Sequence, residues 1–299
     1  MGDTDFLVRM RDEAGTLRAL AVTSKHLVEI KRKQENLSPI ATAALGRLMS
    51  AALMMGDWLK GEKDTLTLEI TGDGELSHLV AVSNAKGEVR GYVSNPSVIL
   101  PPNEKGHLAV GKAIGNGRLV VIRDLGLKSP YVSSTALVTG EIAEDLTYYF
   151  AQSEQTPSSV GLGVRMDPAT VEVTHAGGFL IQLLPGCPES TIRQLETNLA
   201  KFSSVTEFYQ EHGDDPKAML LALLDGLSPV EEGEKPVCWH CSCSEERARH
   251  TLESLPKGDL EEMAHDTKDT EIVCEFCGKT YRFSPQEIQA MIEKKEAKQ

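Results

Sequence analysis

The sequence predicts an α+β fold with three parts: an N-terminal antiparallel-sheet domain with packed helices, a helical connector, and a small C-terminal four-cysteine domain. Three observations carry this reading. First, apolar residues recur at every second position in TLTLEIT, ELSHLVAVS and EVRGYVS, with Gly72-Asp73-Gly74 and Asn84-Ala85-Lys86-Gly87 between the runs. That is the pattern of an antiparallel meander. Second, the period becomes helical after GGFLIQLLPG at 177–186. Third, five of the six cysteines fall in two short stretches, CWHCSCSEERARH and IVCEFCGKTYRFS.

In chain order, DFLVRMRD, a turn at Glu13-Ala14-Gly15 and TLRALAVT form a hairpin, and Ser24 opens a helix through KHLVEIKRKQ. A second helix starts with Ser38 as cap and Pro39 in the first position, where the missing N–H is harmless. Its Ala, Leu and Met content marks it as central and buried. After the meander, RLVVIRDL, VSSTALVTG and VGLGVRM read as strands and EIAEDLTYYFAQS as a helix, with Gly115-Asn116-Gly117 as a hairpin turn.

Beyond residue 186 no strand is expected before the cysteine region. Ile192, Leu195, Leu199 and Phe202, then Val205, Phe208 and Tyr209, keep helical spacing, and Asp215-Pro216 opens AMLLALLDG, which Gly226 closes. Glu231-Glu232-Gly233-Glu234 and Pro236 mark a boundary. The resulting division is 1–186 core domain, 187–236 connector and 237–299 cysteine domain, whose last helix begins with a capping box at Ser284 and Glu287.

A chain of 299 residues buries enough apolar surface to fold without covalent staples. MGDTDFLVRMRDEAG has no apolar leader, and the most apolar window, 40–59, is interrupted by Arg47, Asp57 and two glycines. A cytoplasmic location with no membrane span is expected. In that reducing compartment, clustered cysteines hold metal or do redox chemistry. The formal charge is −13, and residues 238–299 carry 9 Lys/Arg against 13 Asp/Glu. A nucleic-acid-binding zinc module has the opposite sign.

Structural zinc takes four thiolate or imidazole ligands, and a pair a few residues apart supplies half of them. Cys274-Glu275-Phe276-Cys277 followed by Gly278 has the form of a knuckle, and the 30 residues between Cys243 and Cys274 have room for two short helices. In the first cluster three cysteines compete for two positions. Cys238 with Cys241 is the generic ribbon pair, Cys241 with Cys243 the tighter chelate, and His240 and His265 are further candidate donors.

CSCSEER followed by CEFCGKTYRFS resembles the C-terminal zinc domain of the redox-regulated heat shock protein 33 family of chaperones. AALGRLM at 43–49, NAKGEVRGYVSNP at 84–96, YYFAQSEQTPSSVGLGV at 148–164 and AGGFLIQLLPG at 176–186 extend the similarity over nearly the whole chain. The resemblance implies Cys241, Cys243, Cys274 and Cys277 as ligands to one zinc ion per chain, with Cys238 as a departure from the family pattern and Cys187 matching no ligand. It also implies disulfides Cys241–Cys243 and Cys274–Cys277 on oxidation, and an ATP-independent holdase, idle when reduced and dimeric when active. Its partners would be unfolding proteins.

Release of the metal would melt the region around the cysteines and loosen the connector, whose Met219, Leu220, Leu221, Leu223 and Leu224 form the candidate client surface. A dithiol oxidoreductase would instead place its C-x-x-C at a helix start after a strand, and a metalloenzyme would keep an open coordination position. Neither pattern is present, and no catalytic residues are expected.

Overall fold

The computed structural model describes residues 4–104 and 106–296. These form two compact units, Met1–His240 and Cys241–Gln299. In the first unit the strands are β1 (Asp5–Asp12), β2 (Leu17–Thr23), β3 (Thr65–Gly72), β4 (His78–Asn84), β5 (Glu88–Val93), β6 (Gly117–Asp124), β7 (Tyr131–Ala136), β8 (Ser158–Met166), β9 (Val173–Leu183) and β10 (Pro229–Trp239). The helices are α1 (Lys25–Glu35), α2 (Pro39–Gly56), α3 (Val110–Ile114), α4 (Ala143–Ser153), α5 (Glu189–Lys201), α6 (Val205–His212) and α7 (Pro216–Leu223).

The ten strands make one sheet in the order β7-β6-β3-β4-β5-β10-β1-β2-β9-β8. α2 lies against its inner face: every residue of this helix except Pro39 and Arg47 is buried, and the Ser38 hydroxyl caps it by accepting from the Ala41 N–H. It is long and apolar enough to cross a membrane, yet 89% of that stretch is buried within the protein. α2 touches β2, β3, β4, β5, β8 and β9, and α4 touches β6, β7 and β8. Both ends of the sheet therefore reach one helix, so the sheet curls around α2.

On the outer face, α5, α6 and α7 cover the β1–β2–β9 side. Val8, Met10, Leu17, Ala19, Phe179 and Ile181 pack there against Phe208, Tyr209, Met219, Leu220, Leu223 and Leu224. Asp215 caps α7 by accepting from the N–H groups of Lys217 and Ala218. The connector thus has the expected helices, packed as part of the first unit.

Two expectations are corrected. The acidic stretch before the cysteines is not a strandless boundary: β10 runs antiparallel to β1 from Pro229 to Val237 and then parallel to β5 at Cys238 and Trp239. Its partners supply the ladder that its own sequence, with only Val237 fully buried, does not announce. Gly115-Asn116-Gly117 is not a hairpin turn either. Gly115 ends α3 with φ +75° and Gly117 begins β6, while Asp73 accepts from the Asn116 N–H at 2.7 Å.

The Asp57 carboxylate at the end of α2 is almost fully buried and is held by Lys235 of β10 at 2.5 Å and Arg9 of β1 at 3.2 Å. Removing one partner of a buried ion pair costs about 3–5 kcal/mol when the remaining charge stays dry. Arg9 and Lys235 are 44% and 24% exposed and can turn back toward water. Asp57→Ala should therefore destabilise the first unit by about 2 kcal/mol, measured by urea unfolding with a probe on Trp239.

Candidate metal centre

The second unit contains α8 (Glu245–Ser254), α9 (Lys257–His265), β11 (Thr270–Val273), β12 (Thr280–Phe283) and α10 (Pro285–Glu296). Ser244 caps α8 by accepting from the Arg247 N–H, so the helix begins directly after Cys243. β11 and β12 pair antiparallel, and the chain between them, 274–279, is the knuckle. The Cys274 carbonyl accepts from the N–H groups of Cys277 and Gly278 at 3.2 and 2.7 Å. Gly278 closes the loop with φ +69°, a conformation open to glycine and strained for other residues.

The sulfurs of Cys241, Cys243, Cys274 and Cys277 lie within 4.8 Å of one another. Cys241 and Cys274 approach to 3.7 Å, and Cys243 and Cys277 to 3.4 Å. A tetrahedral ion with metal–sulfur bonds of about 2.3 Å needs sulfurs roughly 3.8 Å apart. The donor set fits a metal ion: four half-buried sulfurs converge from two separate loops, and all six cysteines of the chain are free thiols.

The four sulfurs are not equivalent. Burial opposes ionisation of Cys243, but hydrogen bonds from the Tyr281 hydroxyl at 3.2 Å and from Cys277, Cys241 and Cys274 bring it down to about 7. Burial and the neighbouring sulfurs push Cys277 up to about 12, and burial raises Cys241. One thiolate is therefore favoured, at Cys243, and each further ionisation in so small a volume requires a cation.

The remaining candidates lie elsewhere. Cys238 belongs to β10, where its N–H donates to the Gly87 carbonyl at 3.0 Å, and burial and the Glu88 carboxylate raise its thiol. His240 also extends the strand pairing, donating its N–H to Val89, and the His265 ring contacts the Glu261 carbonyl at 2.6 Å. Cys187 sits half-buried in the turn before α5. Of the candidate client residues, Met219, Leu220, Leu223 and Leu224 are buried and Leu221 is exposed. Tyr281 was missed in the sequence, although the period of two in KTYRF puts Tyr281 and Phe283 on the buried face of β12.

A family model described as Hsp33 protein matches residues 5–284, a span that includes all four clustered cysteines. The chain belongs to the Hsp33 family. Among its Hsp33 relatives, the 33 kDa chaperonin of Ruminiclostridium cellulolyticum is 47% identical over 288 residues, which is 96% of this chain and 98% of that protein. The 33 kDa chaperonin of Bacillus licheniformis is 42% identical over the same shares. The crystal structure of the 33 kDa chaperonin (heat shock protein 33 homolog) of Thermotoga maritima matches with a TM-score of 0.88 at 37% identity, covering 99% of this chain and all of that one.

Serine substitutions separate the cluster of this Hsp33 family member from its neighbouring thiol. Cys241→Ser, Cys243→Ser, Cys274→Ser and Cys277→Ser should each abolish tight metal binding, and Cys238→Ser should retain one ion per chain. Metal content of the purified variants checks this; loss of metal in Cys238→Ser with retention in Cys243→Ser overturns the assignment.

Proposed function

We propose that this chain is a redox-gated, ATP-independent holdase that is idle while Cys241, Cys243, Cys274 and Cys277 hold one zinc ion and active once they are oxidised. The observation that supports it is the convergence of four oxidisable sulfurs at the centre of a small unit. That unit spans 241–299, and its buried core consists of eight side chains, Tyr281 and Phe283 among them. A core of this size contributes little net stability on its own. Bound zinc supplies structural cross-linking worth about 10–16 kcal/mol in small zinc modules at neutral pH.

Oxidation removes the ligands. Cys241 with Cys243, and Cys274 with Cys277, each lose two electrons to one hydrogen peroxide; a disulfide forms, two protons are taken up and two waters leave. The C-x-C disulfide closes a small ring under strain and is readily reduced again, which suits a reversible sensor. With its ligands gone the region 237–299 melts, and the loss of order spreads through the connector, 187–236, while the 1–186 core stays folded.

Lifting α5–α7 would uncover two apolar surfaces together, the helices' own Met219, Leu220, Leu223 and Leu224 and the sheet face beneath them. Non-native proteins are the clients. The chain acts in the cytoplasm by binding, without turnover, and the oxidised form is a homodimer.

Aggregation of a chemically unfolded client, followed by light scattering, tests the gate: peroxide-treated protein should keep the client dispersed and reduced, zinc-loaded protein should not. Equal suppression in both states sinks the switch. Hydrogen exchange tests the spread, with protection expected to fall at 218–224 and to persist at 65–93 after oxidation. Unchanged protection at 218–224 removes the connector as the client surface.

A further inference from the structure

We propose that Tyr281 is a positioning residue whose hydroxyl holds Cys243 to the metal and shields its sulfur from oxidant, so that this one hydrogen bond sets how readily the cluster opens. The proposal rests on the metal and redox reading above and assigns its control to a residue outside the four ligands.

The donor is fixed from two sides. Tyr281 pairs with Ile272 across the β11–β12 ladder, and its side chain is 7% exposed. Its ring belongs to the core of Leu252, Leu260 and Phe283, against which Cys243 also packs. The hydroxyl meets the Cys243 sulfur at 3.2 Å. A thiolate can only accept, so the phenol donates. The Lys279 ammonium stands over the Tyr281 ring at 5.0 Å from its centroid, and a cation there draws electron density from the ring and strengthens the O–H as a donor.

The neighbouring sulfurs are served differently. The Cys243 N–H donates to the Cys241 sulfur, and the Lys279 N–H to the Cys277 sulfur. Those main-chain donors come with the turns themselves, whatever side chains the turns carry. The donor to Cys243 comes from a side chain 38 residues away and exists because position 281 is tyrosine. Packing alone is met by phenylalanine, as at Phe283 two positions on in the same core. The hydroxyl is what sets position 281 apart.

Two consequences have the same sign. Four thiolates around a divalent cation keep a net charge of about −2 in a half-buried site, whereas the metal-free thiols carry none. A donor aimed at one of the sulfurs therefore favours the loaded state. Oxidation begins when a sulfur lone pair attacks a peroxide oxygen: an S–O bond forms, the O–O bond breaks and hydroxide leaves. The sulfur of Cys241 then displaces the second hydroxide from Cys243 and closes the S–S bond, and the two hydroxides take up the two protons counted above. Lone-pair density engaged by Tyr281 is withdrawn from the first of these steps, so attack at Cys243 is slowed.

The test uses the full chain loaded with Zn2+ or Co2+. Tyr281→Phe should bind Zn2+ about tenfold more weakly in competition with a chromogenic chelator and lose it severalfold faster under hydrogen peroxide. In the Co2+ form the sulfur-to-metal charge-transfer band should move to longer wavelength, because a thiolate without its donor gives up an electron more easily. A change of packing alone does not predict that shift. Replacement of Tyr281 by 3-fluorotyrosine, whose more acidic hydroxyl is the stronger donor, should move both the band and the release rate the other way. This second variant decides the matter if Tyr281→Phe does not fold.

An unmoved band in the folded variants overturns the proposal whatever the affinity does, since weaker binding on its own is a packing effect. A shifted band with unchanged affinity and peroxide release overturns it too, as a hydrogen bond without control. If band, affinity and release respond as expected while reduced and peroxide-treated protein suppress aggregation equally, the redox gate falls and the assignment of Tyr281 stands.

Discussion

Four sulfurs within 4.8 Å of one another impose the constraint on which the C-terminal unit of this molecule depends. Two like charges 4 Å apart repel by about 4 kcal/mol at an effective dielectric near 20, so several thiolates cannot share this volume unless a cation stands among them. The Tyr281 hydroxyl favours one thiolate at Cys243, and burial pushes Cys241 and Cys277 toward the neutral thiol. Ionisation of the cluster and occupancy by a metal are therefore one event. Because Cys243 and Tyr281 also pack in the small core with Phe283 and Leu252, that event is coupled to folding of the unit.

β10 is the strand that leads along the chain from the connector helices to the cysteines. This strand begins at Pro229, soon after α7, and ends at Trp239, two residues before Cys241. It is fixed unevenly. Toward β1 it pairs over most of its length, with Lys235 on the buried Asp57; toward β5 it pairs only at Cys238 and Trp239. The end nearest the cysteines is the easier to peel. At its other end Glu231 meets Lys217 of α7 at 2.6 Å, and Arg11 reaches Glu232 at 3.3 Å. Displacement of β10 would break the first of these contacts, so a strand that resembles a linker in sequence is tied to α7 by charge.

The parts of the fold legible in the sequence were those whose local pattern and tertiary role agree. TLTLEIT, the Ser38-Pro39 start, the Asp215-Pro216 start and the Ser284–Glu287 box each contain their own reason for being strand or helix. β10 was illegible because EEGEKP has neither apolar alternation nor β-branched content, and its strand form is imposed by β1. The cysteine cluster was legible as two pairs, but spacing alone left Cys238 and Cys243 competing. The fold separates them: strand pairing claims Cys238, and the start of α8 brings Cys243 to the knuckle. Tyr281 shows the limit in the other direction, since its role depends on a sulfur 38 residues away.

The curled sheet gives the first unit a core that is enclosed from several sides. α2 is enclosed by strands that are distant in sequence, β3 to β5 on one side and β2, β9 and β8 on the other, and α4 bridges the two ends of the sheet. Opening any part of this core exposes apolar surface from several elements at once, so its elements resist local opening together. The outer helices α5–α7 and the cysteine unit lack that enclosure: each buries one apolar side and faces water with the other, as Leu221 does on α7. The apolar outer face of β1, β2 and β9 is thus covered by α5–α7 alone, on a sheet held from within by α2.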